Sequence, residues 1–314
     1  HPLQWSQYKD IDTNYSKDIK KIHRVFVTDK TDVQNCFSVE RIAELAYEKQ
    51  QERSNALTIM NTVSGATRVF ECLKKKFEQI PEMNRPLLIL LTTNLCSDHK
   101  KRRIQQMINA LEENIPVLCV STSLIEAGVD ISFDVVLRAC SGLDSLIQAA
   151  GRCNRHDHKK LGELIVFYSY EIDFMHESKT KNTTVLQLTR KLICSHCVLD
   201  KFKKAPEDFE NNILSNKALE MYYSRYYEMI QDRADYPVTS QGFTLYDLNS
   251  FCSCWCTEIS KAKKSDVNWM MHQAFETAGR YFKVIEDYSI GVLVPYEKGR
   301  ELIEELNSGN IKFQ

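Results

Sequence analysis

Six short apolar runs, separated by stretches of helical periodicity or turns, decide the architecture of this chain. The runs are Arg24-Val-Phe-Val-Thr28, Ala56 to Met60, Pro86 to Leu91, Pro116 to Val120, Asp134 to Leu137 and Glu163 to Tyr168. Between them, Val39, Ile42, Ala43, Ala46 and Tyr47 recur at helical spacing, as do Ala66, Val69, Phe70, Leu73 and Phe77. Lys100 to Glu112 and Leu143 to Asn154 complete the helical segments. Strands that are apolar along their whole length must be covered on both faces, and alternation with helices is the pattern of a parallel sheet. An α/β domain with helices on both faces is therefore expected over 22–172. A polar lead-in (1–21) precedes it. A helical linker or accessory segment (173–240) and a small α+β C-terminal accessory domain (241–314) follow. In the last of these, Phe282 to Ile285 and Ile290 to Val294 are predicted strands, and Gly299 to Leu306 a predicted helix.

With 314 residues the chain is long enough for two domains. Its formal net charge of -1 excludes a broadly basic nucleic-acid coat, but not a local basic channel. No run of apolar residues approaches membrane-spanning length, so no membrane partner is expected. The polar start carries no apolar leader and no initiator Met, from which a trimmed or fragmentary chain is expected. Eleven cysteines, an odd number scattered through predicted strands and helices, fit a reducing cytoplasm better than a disulfide framework. Cys194/Cys197 and Cys252/Cys254/Cys256 have zinc-like spacing, yet the pairs lie far apart and the first falls in a predicted helix. They are read as buried thiols, with no metal site in the chain. His156-Asp157-His158 is read as a loop.

The most informative stretch is Cys119 to Arg155, CVSTSLIEAGVDISFDVVLRACSGLDSLIQAAGRCNR. A strand ends at Val120 and delivers the hydroxyls of Ser121 and Thr122 to the position where open α/β sheets bind ligands, or where a helix is capped. Gly128 allows an unusual backbone path, and Asp130 offers a carboxylate to a sugar hydroxyl. Gln148, Arg152 and Arg155 are spaced to share one face of a helix over 143–155. Leu146, Ala150 and Cys153 fall on the opposite face, and Ala149 and Gly151 keep the helix slim. Two arginines on one face suit the charge of a transferring phosphoryl group, or a solvated surface.

IEAGVDI followed by QAAGRCNR resembles motifs V and VI of superfamily 2 helicases, in the wording of the CRISPR-associated type I interference helicase-nucleases. Thr58 to Val63 is similar to motif IV, and Leu90 to Lys100 to the block after it, with departures at its Pro and Arg positions. The resemblance implies the second RecA-like lobe and C-terminal domain of an ATP-dependent single-stranded-DNA translocase. The chain has neither the G-x-x-x-x-G-K-[ST] phosphate loop nor an Asp-Glu box. It implies that ATP and Mg2+ are held mainly by a first RecA-like lobe, and that a nuclease domain with its own divalent metal lies elsewhere in the protein.

On this resemblance, Arg152 and Arg155 are the catalytic arginine fingers, and Gly128, Asp130, Gln148, Arg152 and Arg155 contact ATP. Asn61, Thr62, Thr92, Thr93, His99, Lys100, Ser121 and Thr122 face DNA. His99 to Arg103 is a basic patch at a helix start. Lys201 to Lys204 and Lys261 to Lys264 are read as solvated faces, and Tyr222, Tyr223, Tyr226 and Tyr227 as packing more than base stacking. Implied partners are single-stranded DNA, the target-bound CRISPR surveillance complex, and the first lobe and nuclease domain of the same protein. The implied setting is a bacterial or archaeal cytoplasm. Two alternatives stay open: a stand-alone, non-catalytic DNA- or partner-binding module, and a superfamily 2 ATPase acting on RNA.

Overall fold

The computed structural model describes residues 24–32, 34–126, 129–155, 161–170, 183–230, 237–238, 243–244, 279 and 291–308. The chain divides into two compact units, His1–Tyr222 and Tyr223–Gln314.

The first unit is built on a six-stranded sheet. Its strands are β1 (Val25–Lys30), β2 (Asn55–Ile59), β3 (Leu87–Leu91), β4 (Val117–Ser121), β5 (Val135–Ala139) and β6 (Gly162–Phe167). Their order is β1-β6-β5-β2-β4-β3, and every pairing is parallel. Four helices connect them: α1 (Val39–Arg53), α2 (Val63–Glu78), α3 (Ser97–Glu112) and α4 (Leu143–Ala150). The starts of α1 and α2 are fixed by caps. The Ser38 hydroxyl accepts from the Arg41 amide, and the Thr62 hydroxyl accepts from the Gly65 amide at 2.9 Å.

The apolar spacing read from the sequence is the packing that forms. Ile42, Ala46, Val69 and Leu73 join Met60, Val120, Leu137 and Phe167 in one buried cluster. Strand residues alternate faces, so Leu57, Cys119, Val136 and Leu164 point to the other side. All four are fully buried, as are Met107 of α3 and Leu143 of α4. The result is a RecA-like parallel sheet covered by helices, as expected. Two further helices, α5 (Thr183–Lys204) and α6 (Asn216–Ile230), lie in the expected linker region.

Two expectations need correction. The helix expected through Asn154 stops at Ala150. Arg152 and Cys153 bond back to Ala149 and Ala150, Asn154 takes a left-handed φ of 46°, and Cys153 forms a parallel bridge with Phe133. The helix ends in a tight turn through Gly151, and the bridge of Cys153 to Phe133 carries the chain off the helical path. The strand expected at Ile290 to Val294 is not formed at 291–294, where Val292 is 76% exposed. Apolar composition alone does not make a strand when nothing covers it. The second unit also contains a two-residue antiparallel pair, β7 (Pro237–Val238) with β8 (Phe243–Thr244), and α7 (Lys298–Asn307), close to the expected 299–306. The expected strand Phe282 to Ile285 lies outside the described residues.

Candidate nucleotide and nucleic-acid site

β4 ends at Ser121 at one rim of the sheet, and the chain then descends to the start of β5 at the other rim. A short 3-10 turn, Ser123–Glu126, begins the descent. Ile131 and Phe133 are buried as it passes, while Asp130 is exposed. α4 runs in the same direction as this descent and closes against it through the parallel Phe133–Cys153 bridge. The Phe133 amide donates to the Arg152 carbonyl, and the Asn154 amide to the Phe133 carbonyl, both at 2.9 Å.

This pairing gives the two arginines different surroundings. Arg152 is buried, and its two terminal nitrogens donate to the carbonyls of Glu126 and Val129. It clips the descending segment to the end of α4. Burial, and next the Arg155 charge beside it, hold its pKa below the usual guanidinium value, while Asp130 and Glu126 act the other way. Its Nε is buried with no hydrogen-bond partner. Arg155 has left the helix and faces solvent. Its amide donates to the Ser132 hydroxyl at 2.9 Å, and its Nε lies 2.8 Å from an Asp130 oxygen. The side chains are 41% and 72% exposed, so this pair can open toward a ligand at little cost. The shared helix face expected for Gln148, Arg152 and Arg155 is not formed, because only Gln148 of the three lies on α4, where it is exposed. Gly128 lies outside the described residues.

The residues expected to face DNA gather at the opposite rim. β2, β4 and β3 are neighbours, so the segments after their carboxyl ends bring Asn61, Thr62, Ser121, Thr122, Thr92 and Thr93 into one row. Much of this row is already engaged. Ser121 donates to the Leu91 carbonyl at 2.8 Å, Thr62 caps α2, and Thr92 and Thr122 are buried. Thr93 is exposed. His99 and Lys100 stand half-buried in the first turn of α3, where the His99 ring nitrogen Nε2 accepts from Arg103 at 3.2 Å. The amino end of α3 and its basic residues give this rim a favourable character for phosphate.

Sequence reasoning passed over Arg138, in the middle of DVVLRAC. It is 1% exposed. Its Nε lies 2.9 Å from Glu126 Oε1, an ion contact between side chains only 2% and 3% exposed. A lone charge inside an apolar strand was the available signal, since such a charge needs a partner.

Sequence reasoning also missed Asp144, in the first turn of α4. It accepts from the Tyr222 hydroxyl at 3.0 Å and from Lys191 of α5 at 2.8 Å. Tyr222 is therefore buried and bonded, as the packing reading expected, while Tyr223 and Tyr227 stack on one another at 5.8 Å.

Cys119, Cys140, Cys153 and Cys194 are buried free thiols, and burial pushes Cys153 up to about 12. Among the described residues, no three His, Cys, Asp or Glu residues are grouped to hold a metal ion. Cys252, Cys254 and Cys256, like His156 to His158 and Lys261 to Lys264, lie outside the described residues. No described helix is long and apolar enough to cross a membrane.

Residues 52–158 match the family of C-terminal regions of the CRISPR-associated nuclease/helicase Cas3. A curated protein of that name from Haloferax volcanii is 58% identical over 41 residues, which is 13% of this chain and 4% of the relative. Another, from Methanothermobacter thermautotrophicus, is 28% identical over 107 residues, 34% of this chain and 12% of the relative. A crystal structure of T. fusca Cas3 with ATP aligns with a TM-score of 0.46 and 20% identity, covering 67% of this chain and 26% of that one. The chain thus spans a small part of the proteins it matches.

Proposed function

We propose, from the match of residues 52–158 to the Cas3 C-terminal family model, that this chain is the closing lobe of an ATP-dependent single-stranded-DNA translocase. It works opposite a first lobe that carries the phosphate loop and Mg2+, in a protein whose nuclease domain and metal lie elsewhere. The observation that supports this most directly is the mounting of Arg155. A buried Arg152 clips the carbonyls of Glu126 and Val129 to the end of α4, and Arg155 emerges beside Asp130 on an exposed turn. The donor set fits a nucleotide: a guanidinium for phosphate oxygens and a carboxylate for the ribose. In ATP hydrolysis, Arg155 stabilises charge on the transferring phosphoryl group, Asp130 releases it and orients the sugar, and Arg152 holds both in place. Gln148 and Gly128 complete the proposed set of ATP contacts. Asn61, Thr62, Thr92, Thr93, Ser121, Thr122, His99 and Lys100 form the DNA-facing rim. Cleft closure on ATP and opening after hydrolysis step the strand along. Foreign DNA engaged by a CRISPR surveillance complex in a bacterial or archaeal cytoplasm is the substrate.

The test is ATP hydrolysis with single-stranded DNA, first with this chain alone and then with the phosphate-loop lobe added in trans. The expected result is no activity alone, activity with the added lobe, and loss of that activity in Arg155→Ala. Activity of the chain alone refutes the assignment. Inactivity in both cases with firm DNA or protein binding supports a non-catalytic module instead, and a preference for RNA supports an RNA-directed ATPase.

A further inference from the structure

The two rims stand at opposite ends of the sheet, yet one set of buried polar contacts spans them. At the DNA-facing rim, Asn61 follows β2. Its side-chain oxygen accepts from Arg138 Nη1 at 2.8 Å, and its amide donates to the Cys140 carbonyl at 2.9 Å. The same Arg138 nitrogen donates to the Ala139 carbonyl at 2.8 Å. Arg138 Nε meets Glu126 Oε1, and Glu126 Oε2 accepts from the Ser145 hydroxyl of α4 at 2.9 Å. The Glu126 carbonyl, in turn, receives Arg152. Glu126 therefore holds the DNA-facing side with its carboxylate and the arginine clip with its backbone.

Replacing both members of a buried, unlike pair by apolar residues of similar volume is often neutral or stabilising, so such a pair is weak evidence for a role in stability. It does tie the strand, the turn and the helix to one geometry. We infer that Glu126 and Arg138 are positioning residues that transmit strand engagement at Asn61 to the placement of Arg152 and Arg155. This rests on the proposed translocase reading. Neither residue touches nucleotide or DNA. A shift of Asn61 when DNA binds moves Arg138, the Glu126 turn follows, and the clip on Arg152 carries the change to the finger.

The test uses the full protein with both lobes, and compares wild type with Glu126→Gln and with Arg138→Lys, which keeps the charge but not the two-nitrogen fork. Four quantities are read: the thermal melt, the DNA-free hydrolysis rate, the DNA concentration giving half-stimulation, and the maximal stimulated rate. In both variants the DNA-free rate and the half-stimulating concentration are expected within about twofold of wild type, while maximal stimulation falls by about tenfold, the scale of coupling residues. A merely structural role lowers the melt without separating these rates. Folded variants with wild-type stimulation overturn the inference. If the single variants fail to fold, the double variant Glu126→Leu with Arg138→Met removes both charges at similar volume and is held to the same outcomes. Its failure to fold as well overturns the inference, because the pair then serves the fold alone. A wild-type protein whose hydrolysis DNA does not stimulate overturns the translocase reading, and the relay with it.

Discussion

Arg152 and Arg155 are three residues apart, yet their loss should be felt in different measurements. Arg155→Ala removes one exposed ion pair, with side chains 41% and 72% in solvent. Such pairs contribute about 0–1 kcal/mol, so stability should barely change. For a domain of roughly 150–250 residues, that is a melting shift below about 4 °C. The proposed catalytic loss is far larger. Removing a finger costs on the order of 10³-fold in rate, or about 4 kcal/mol of transition-state stabilisation.

Arg152→Ala has the opposite balance. It strips charged donors from the carbonyls of Glu126 and Val129 beside the end of α4. At about 1–3 kcal/mol for each buried group left unsatisfied, the cost is roughly 2–6 kcal/mol of stability. The assay is a thermal melt of each variant beside its DNA-stimulated hydrolysis rate at saturating DNA, in the two-lobed protein. Arg155→Ala should melt like wild type and hydrolyse like background, whereas Arg152→Ala should lose stability as well as rate. Hydrolysis by Arg155→Ala within about threefold of wild type would sink the finger assignment, given the far larger loss typical of such residues. A melting loss in Arg155→Ala equal to that of Arg152→Ala would show that the exposed pair had been misjudged.

Two further outcomes follow from packing and charge. Burial raises the Asp144 pKa, but Lys191 and Tyr222 outweigh it, and the net shift is below the ordinary aspartate value of 3.8. A lowered carboxylate pKa stabilises the fold above its unfolded value, and that gain is lost as pH falls through the folded one. Melts across pH should therefore show a gap between wild type and Asp144→Asn that holds above pH 3.8 and closes below it; a gap independent of pH would remove the charge from the explanation. Gly162→Ala would set a Cβ 2.5 Å from Cys153 Sγ and 2.8 Å from Asn154 Cβ. Overpacking of this kind costs about 1–3 kcal/mol, to be read from the urea midpoint, and adding Cys153→Ala should recover part of it.

The sheet was legible because burial on both faces leaves a direct imprint on composition. β2 to β6 are nearly uninterrupted apolar runs, and no local signal competes with that pattern. The limits of α4 were not legible in the same way. Leu146, Ala150 and Cys153 satisfy a helical period through 153, and all three are indeed buried. Cys153 reaches the core by a different route, through its bridge to Phe133, a residue far away in the chain. Periodicity reports burial, not the backbone that achieves it. The site divides along the same line. Asp130 and Arg155 could be named from motif spacing, and they are brought together at 2.8 Å. For Arg138 the sequence showed only a lone charge in an apolar strand; that its partner is Glu126 is set by the fold, which brings the turn after β4 against β5.

The parallel pairing of β1 with β6 has a consequence for how the protein is made. Val25 leaves the ribosome well before its partner Gly162, which is among the last residues of the sheet to be synthesised. At 5–20 residues per second, β1 waits on the order of ten seconds with nothing to pair with. During that wait β2, β4 and β3 can already assemble, since they need only one another and the helices between them. In this order of synthesis the pairing of β1 with β6 is among the last that the sheet can complete. β1 carries Phe26, 41% exposed even when folded, so the edge that waits longest for its partner also offers an apolar side chain to a nascent-chain chaperone.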